Sequence, residues 1–405
     1  MQRPIEFECK LTTFLITKGA SDDISTDFLR APTLRGIMRW WFRTLTSTYM
    51  EKNLWQKLEQ LIFGSKKNKG VLRIIIKKKS IKKTTWTDFK RDQNLKAPYL
   101  FYPMRLQDNE EIEIFKSGKF TIMFILDEIL FNNLTGETNR QDFTSLEFAI
   151  DEIRKIIVFT FWCLIHLGAI GTRSRRGAGK IGVVGYERFN QHLIQPTDDL
   201  EHHNYIKTCL TKIKHFFEKQ NYTPRVHDGA NSADNNNRTA IPKLDGWPFR
   251  LWIYKGMDFE NYEDALKCCN HIYKDFRNKE LHNLEDERVY LGLPVTSKKK
   301  DQLKRTYWQQ HPDKQLHRRS SPLFLGVNYC KGKYYPYLGI FYSQFFYPGG
   351  KLIYQIEENN KTKTGKKNKK PYPVHGSGNH KLRTVYHALC DFMNKNQNWE
   401  KIILG

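Results

Sequence analysis

"SLEFAIDEIRKIIVFTFWCLIHLGAIGTRSRRGAGKIGVVGYERF", Ser145 to Phe189, joins an apolar helical pattern, a glycine-rich turn and a strand pattern. The order of these pieces decides the fold. Leu146, Ile150, Ile153, Ile157, Phe161 and Leu164 recur every three or four residues, which predicts a helix running to about Leu167. "KIGVVGYERF", from Lys180, reads as a strand. Between them Gly177, Gly179 and Gly182 satisfy G-x-G-x-x-G, and Asp198 and Asp199 lie near the distance at which a dinucleotide fold places its ribose-binding acid. That fingerprint must follow a strand and open a helix, whereas here a helix precedes and a strand follows. A phosphate-binding P-loop fails too, because Lys180 is followed by Ile181 rather than Ser or Thr.

Upstream, "IEFECKLTTFLIT" from Ile5 reads as an opening strand, and "KGASDDISTD" as a loop. A helix containing "LRAPTLRGIMRWWFR" (Leu29 to Arg43) follows, then a second helical stretch to about Phe63 and a β-branched strand from Val71. A polar region to about Lys116 reads as an insertion, and "KFTIMFIL" from Lys119 as the next strand. Strand, helix, strand, strand, helix, strand is the split βαββαβ order of the ferredoxin-like fold, shared with RNA-recognition domains. With 405 residues, two domains are expected, 1–195 and 196–405, divided between about Gln191 and Asn204. The second half reads as a helix near Tyr205 to Lys219, a polar tract with "NSADNNNR", a strand "FRLWIYK", a helix from Asn261 to about Lys279 and a Tyr/Phe-rich sheet over Leu323 to Phe346. The basic low-complexity insert near 358–378 cannot support a core and reads as a mobile loop. The expected class is α+β, with two ferredoxin-like (RRM-like) domains carrying insertions and no short tandem repeat.

Sixty-seven Lys and Arg against 43 Asp and Glu leave a formal charge of +24. With a pI of about 9.6 this is the footprint of a nucleic-acid binder, a membrane surface being the alternative attractor. Aromatics reach 14%, which suits stacking on unpaired bases, although any one ring is more simply a core residue. The seven cysteines form no C-x-x-C pair, which argues for reduced thiols in a cytosolic compartment and against a zinc ribbon. No signal-type apolar run follows the N-terminus. The most apolar window, from Ile156, is shorter than the roughly 20 residues of a membrane span and contains His166, so it reads as a buried helix.

Two elements carry concentrated positive charge. Arg35, Arg39 and Arg43 fall four apart on one helical face, and no acidic residue lies between Asp27 and Glu51, so an external anionic partner is predicted. In "GAIGTRSRRGAGKIG" (Gly168 to Gly182), Gly171 and Gly177 give the backbone room to bend around a ligand with its N–H groups forming an anion-binding concavity, while Arg173, Arg175, Arg176 and Lys180 add charge. Arginines grip phosphates through paired hydrogen bonds, so the loop reads as a backbone reader. The competing reading is a glycine hairpin packed under the sheet.

These two motifs resemble the RAMP superfamily of CRISPR RNA-binding proteins. The first is similar to the corresponding helix in the first-subunit family of the type III-B Cmr effector complex. "YLGLPVTS" (Tyr290 to Ser297) and "RRSSPLFLGV" (Arg318 to Val327) resemble segments of that family's second half. Ala169 and Ala178 depart from its glycine-loop pattern. The resemblance implies tandem ferredoxin-like domains, with guide crRNA, complementary target RNA, other Cmr-type RAMP subunits and a large polymerase-like subunit as partners. It implies a non-catalytic cap near the guide's 3′ end. The residues themselves show no metal-ligand spacing, and a membrane surface would explain the charge but not the glycine-arginine loop, so no cofactor, metal or membrane is expected. Carried over position by position, it makes Arg35, Arg39, Arg43, Gly171, Arg173, Arg175, Arg176 and Gly177 RNA-facing, with Arg318 and Arg319 further candidates that could instead pair with acids such as Asp286.

The enzymatic alternative is an endoribonuclease using an aspartate in the loop after the first strand, where Asp22, Asp23 and Asp27 lie. Such acids also serve as turn formers and helix caps. All 13 histidines lie at or beyond His166, which itself reads as a hydrogen-bonded core residue.

Overall fold

The computed structural model describes residues 4–17, 28–93, 97–101, 113–135, 148–184, 201–219, 249–281, 295–298, 304–310, 315–316, 321–341, 351–357, 372–373 and 379–402. The first half runs β1 (Ile5–Leu11), α1 (Ala31–Tyr49), α2 (Lys52–Phe63), β2 (Leu72–Thr85), α3 (Trp86–Gln93), β3 (Glu113–Leu126), α4 (Glu128–Thr135), α5 (Ile150–Leu167) and β4 (Ile181–Val184). Its strands pair antiparallel in the order β2-β3-β1-β4, the arrangement that a βαββαβ chain adopts when its two crossover helices lie on one face.

Local chemistry explains these elements. α1 starts with Pro32 in its first turn, where a missing N–H costs nothing, and its stripe Leu34, Met38, Trp41 and Leu45 is buried. α5 carries an unbroken buried run from Ile156 to Leu167, and the Glu152 carboxylate accepts the Ala149 N–H at 2.9 Å to close its first turn. Each fully buried Ile, Leu or Phe contributes about 1.5–3 kcal/mol of transfer free energy, so α5 is the keel of the first core. β2 and β3 continue into the stretch that reads as an insertion. Ile114 and Phe115 there are buried, and Phe28 packs edge-on against Phe115 and Phe120, so apolar residues scattered among lysines still complete two strands.

The second half runs α6 (His202–Lys219), β5 (Phe249–Tyr254), α7 (Tyr262–Lys279), β6 (Val295–Lys298), β7 (Lys304–Gln310), β8 (Gln315–Leu316), β9 (Leu323–Cys330), β10 (Lys333–Phe341), β11 (Lys351–Glu357), β12 (Tyr372–Pro373), α8 (Asn379–Asn394) and β13 (Trp399–Ile402). Its main sheet has the order β13-β5-β10-β9, which repeats the first sheet's order with β5 as first strand and β13 as last. β9 and β10 turn through Lys331 and Gly332, both at positive φ, as a two-residue hairpin requires. The fold is therefore α+β with tandem ferredoxin-like sheets. A further sheet, β12-β11-β7-β6 with β8 on β7, is inserted around the β9–β10 hairpin, and the sequence pattern does not predict it.

The two sheets differ in how they are covered. On β3, inward Phe120, Ile122, Phe124 and Leu126 are buried and pack with α5, while outward Met123 and Ile125 are only half-buried. β9 and β10 are buried almost continuously, the pattern of strands covered on both faces. α7 and α8 cover one face of the second sheet, where Leu266, Phe276, Val385 and Leu389 share a core with Trp252 and Leu338. The other face lies on the helices of the first half: Phe324 and Phe341 pack against Trp40 and Trp41 of α1. α6 joins the same cluster, with Trp162 Nε1 donating to Tyr205 Oη at 3.2 Å and Tyr49 stacked on Phe217 at 4.7 Å. Most of the expected boundary, like "NSADNNNR" and most of the basic insert, lies outside the described residues.

Candidate nucleic-acid interface

The arginine row of α1 is already occupied from within the chain. Arg43 makes a two-pronged ion pair with Glu59 of α2, Nε to Oε2 and Nη2 to Oε1, both 2.7 Å. Arg39 Nε lies 3.3 Å from the same carboxylate, and its Nη2 donates to Gly64 O. Arg35 donates to Phe63 O at 3.3 Å and to Leu72 O at 3.0 Å. The expectation that nothing local neutralises this row is corrected: the acid is Glu59, which the α1–α2 turn folds back beside it. The carboxylate hydrogen bond holds the Arg43 guanidinium's pKa above its ordinary value, against partial burial. The row thereby braces the turn from Gly64 to Gly70, on which Lys66, Lys67 and Lys69 are exposed. Arg43 keeps 45% of its side chain in solvent and Arg39 31%.

The glycine-rich loop is a joint between the two halves. Its N–H groups are largely spent: Thr172 N donates to Ile16 O at 2.8 Å, Gly179 N to Phe14 O at 2.7 Å, and Arg176 N to Arg173 O at 2.8 Å. At Gly179 (φ +72°) a Cβ would fall 1.9 Å from Ile170 O, and at Gly177 (φ +93°) 2.4 Å from Leu266 Cδ2. These glycines admit the chain's own segments. The expected anion-binding concavity is filled by residues 14–16 and α7, which is the packed-hairpin alternative.

Its cations follow suit. Arg175 Nη1 donates to Ser321 O, and its guanidinium lies over the rings of Phe324 (4.5 Å) and Trp40 (5.6 Å). Arg176 donates to Leu323 O at 3.0 Å, Ser321 Oγ at 3.1 Å and Tyr273 Oη at 3.2 Å, and sits 4.8 Å from the Tyr273 ring. Lys180, expected to meet phosphate, is fully buried. Its Nζ donates to Ile165 O (2.6 Å), Gly168 O (2.9 Å) and Tyr337 Oη (3.3 Å), capping the C-terminus of α5. Burial pushes its pKa well below the usual lysine value. That residue is corrected from ligand contact to internal brace, because β4 lies between the two halves. Gly171, at φ +77°, has Ile16 O within 2.4 Å of a would-be Cβ. Arg173 holds a left-handed φ of 61°, which costs a non-glycine residue about 1–2 kcal/mol, and it remains half-buried at the loop's outer turn.

The two motifs do meet, at Arg175 over Trp40. Beside that contact the outer face of α1 carries a residue that sequence reasoning passed over. Gly36 is exposed in the middle of a 19-residue helix, and nothing lies within 4 Å of where its Cβ would be. A glycine there costs about 1 kcal/mol against alanine, and no neighbour among the described residues requires it. The sequence signal was present, a lone glycine inside an apolar period.

Other candidates resolve differently. Arg318 and Arg319, and Asp22, Asp23 and Asp27, lie outside the described residues. His166 is buried as expected, but neither ring nitrogen finds a hydrogen-bond partner among the described residues; it packs on Trp162 and Tyr205. Desolvation, with help from His202 and Lys180, keeps it neutral. No group of three or more His, Cys, Asp or Glu gathers among the described residues, and no described helix is long and apolar enough to cross a membrane.

Comparison with known proteins agrees with this architecture. Residues 8–182 match the family described as the RAMP superfamily. The chain is 25% identical to the CRISPR system Cmr subunit Cmr1-1 of Pyrococcus furiosus over 330 residues, covering 79% of this chain and 82% of that one. It is 27% identical to Cmr1-2 of the same organism over 198 residues, 44% of this chain and 93% of the relative. The crystal structure of apo Cmr1 from Pyrococcus furiosus superposes with a TM-score of 0.53 at 19% identity, covering 85% of this chain and 89% of that one. A chain of the type III-B Cmr-beta complex bound to cognate target RNA gives 0.50 at 12% identity, covering 95% and 99%. The first half is thus similar to the RAMP superfamily over residues 8–182, and the chain as a whole is similar to Cmr1 subunits across most of its length.

Proposed function

We propose that the chain is a non-catalytic, RNA-binding subunit of a type III-B CRISPR effector complex. In that role it assembles with other Cmr-type RAMP subunits and a large polymerase-like subunit, caps the particle near the 3′ end of the guide crRNA, and helps engage the complementary target. The homology to Cmr1 subunits over most of both chains supports the assembly, and the net charge of +24 supports an RNA partner.

The observation that carries the RNA contact is Gly36. A mid-helix glycine with open space around it lets a backbone from outside approach α1 more closely than any side chain permits. Arg43, two turns further along the same face of α1, keeps part of its side chain exposed beside that approach. Arg35, Arg39, Arg175 and Arg176 act as positioning residues: they fix α1, α2 and the second half so that the approach has one shape. We place the division between the two halves at 195/196.

The test is Gly36→Leu in the assembled complex. Leucine is a better helix former by about 0.8 kcal/mol, so the melting temperature should hold or rise while RNA affinity falls several-fold. Undiminished RNA binding by this variant defeats the contact.

A further inference from the structure

The outward face of the first sheet holds a strip of cations that neither the α1 joint nor the glycine-rich loop uses. Between Gln60 and Thr87 the sequence has nine lysines and arginines and no Asp or Glu. On the sheet, Arg73, Lys77 and Lys82 of β2 and Lys119 of β3 are exposed, and none of the four has an ion-pair partner among the described residues. The neighbouring Lys79 is paired with Glu8 and Lys83 with Glu113.

The register puts all four on one face. Arg73 stands opposite Ile125, Lys77 opposite Thr121, Ser80 opposite Lys119 and Lys82 opposite Ser117. Side chains alternate along a strand, so Lys82, five residues after Lys77, belongs by count to the opposite, helix-packed face. The register shift between Lys78 and Ser80 turns it back to the side of Lys77. Bulges occur at sheet edges and beside sites, where they re-aim side chains, and here, on the edge strand, one aligns a cation with three others.

Among the described residues, β2 and β3 present no ring to nucleobases on this face. Phe7, Phe120 and Phe124 point into the core, and the outward neighbours are Ile75, Met123, Ile125 and the acids Glu6 and Glu8 of β1. Tyr329 closes the β4 side, with the Lys10 ammonium 3.4 Å over its ring. Among the described residues, the second sheet's corresponding face is buried on α1, whereas the β2–β3 face is exposed at these cations.

We infer that the β2–β3 face binds the sugar-phosphate backbone of an RNA strand through Arg73, Lys77, Lys82 and Lys119, without reading its bases. The inference rests on the RNA-binding reading above and deepens it. Spaced cations over a half-buried aliphatic floor attract phosphates, and the missing rings remove the stacking by which RRM-type sheets select bases.

The test uses the full chain with fluorescent polyuridine and polyadenosine strands, titrated across salt. Replacing all four cations by Ala should flatten the log–log salt slope by about 2.8, from four contacts at about 0.7 each, equally for both strands. Lys77→Arg, Lys82→Arg and Lys119→Arg together should retain the parental slope. RNA bound with an unchanged slope in the alanine variant overturns the inference and leaves these lysines as guards against edge-strand pairing. Loss confined to pelleting with phosphatidylserine vesicles, RNA binding being unaffected, overturns it in favour of a membrane surface. A parental chain that binds neither strand defeats the RNA-binding reading itself, and this inference with it.

Discussion

Substituting Glu59 by Gln separates a braced arginine row from one that waits for a ligand. Its carboxylate side chain is 8% exposed and receives three contacts, two from Arg43 at 2.7 Å and one from Arg39 at 3.3 Å. Removing one partner of a fully buried pair costs about 3–5 kcal/mol, whereas an exposed pair contributes about 0–1 kcal/mol. Here the carboxylate is buried and the guanidiniums reach water, so they rehydrate once released, and the expected loss lies between these limits at about 2 kcal/mol. An unfolding entropy of about 2.1 cal/mol/K per residue converts this to a melting shift of about 2 °C if the whole chain unfolds together, or about 5 °C if the first half melts alone. Calorimetry at low salt reads the shift, and a cycle with Arg43→Met isolates the pair. The same substitution raises the local charge by one, so RNA affinity should hold or rise. A variant that melts with the parent shows that Glu59 holds nothing, and the reasoning about the row fails.

Acid should weaken the fold through two histidines. Desolvation, with nearby Lys180 and His203, pushes His202 down to about 3, and His166 is held well below its ordinary value. The unfolded chain takes up a proton on each as pH falls through about 6.5, while the folded chain does not, so stability is complete above that pH and lost below it. At pH 5 the loss from His202 is about 2 kcal/mol; His202→Gln should shrink the pH dependence of urea midpoints measured between pH 7.5 and 5, and an unchanged dependence rejects the assignment. Arg176→Ala removes donors to Leu323 O, Ser321 Oγ and Tyr273 Oη, at a cost of about 2 kcal/mol, and should lower the calorimetric midpoint by about 2 °C. A transition at the parental temperature counts against the loop as a joint.

The fold was legible because its deciding signals are local. The helix period from Leu146, the glycines after it and the strand behind them order three elements without any long-range contact, and the same reading found β1, β2, β3 and β5. The site was less legible, because charge pairing is long-range. The first acid after the arginine row is Glu51, whereas the partner sits eight residues further on, delivered by α2 folding back. Lys180 read as a phosphate ligand by composition. Only the second half, folding over β4 with Tyr337 above it, puts that ammonium indoors. The lysines of β2 read as strand and nothing more, since the face they occupy depends on a register shift that no periodicity reports.

The second sheet's burial on α1 has a practical outcome. A fragment cut near residue 195 would bare Phe249, Leu251, Phe324 and Phe341 on one side and Trp40 and Trp41 on the other. Matched greasy surfaces of that kind drive precipitation, so neither piece should survive expression alone. Co-produced, the pieces have every reason to find each other again, which makes this protein a natural candidate for split-chain complementation.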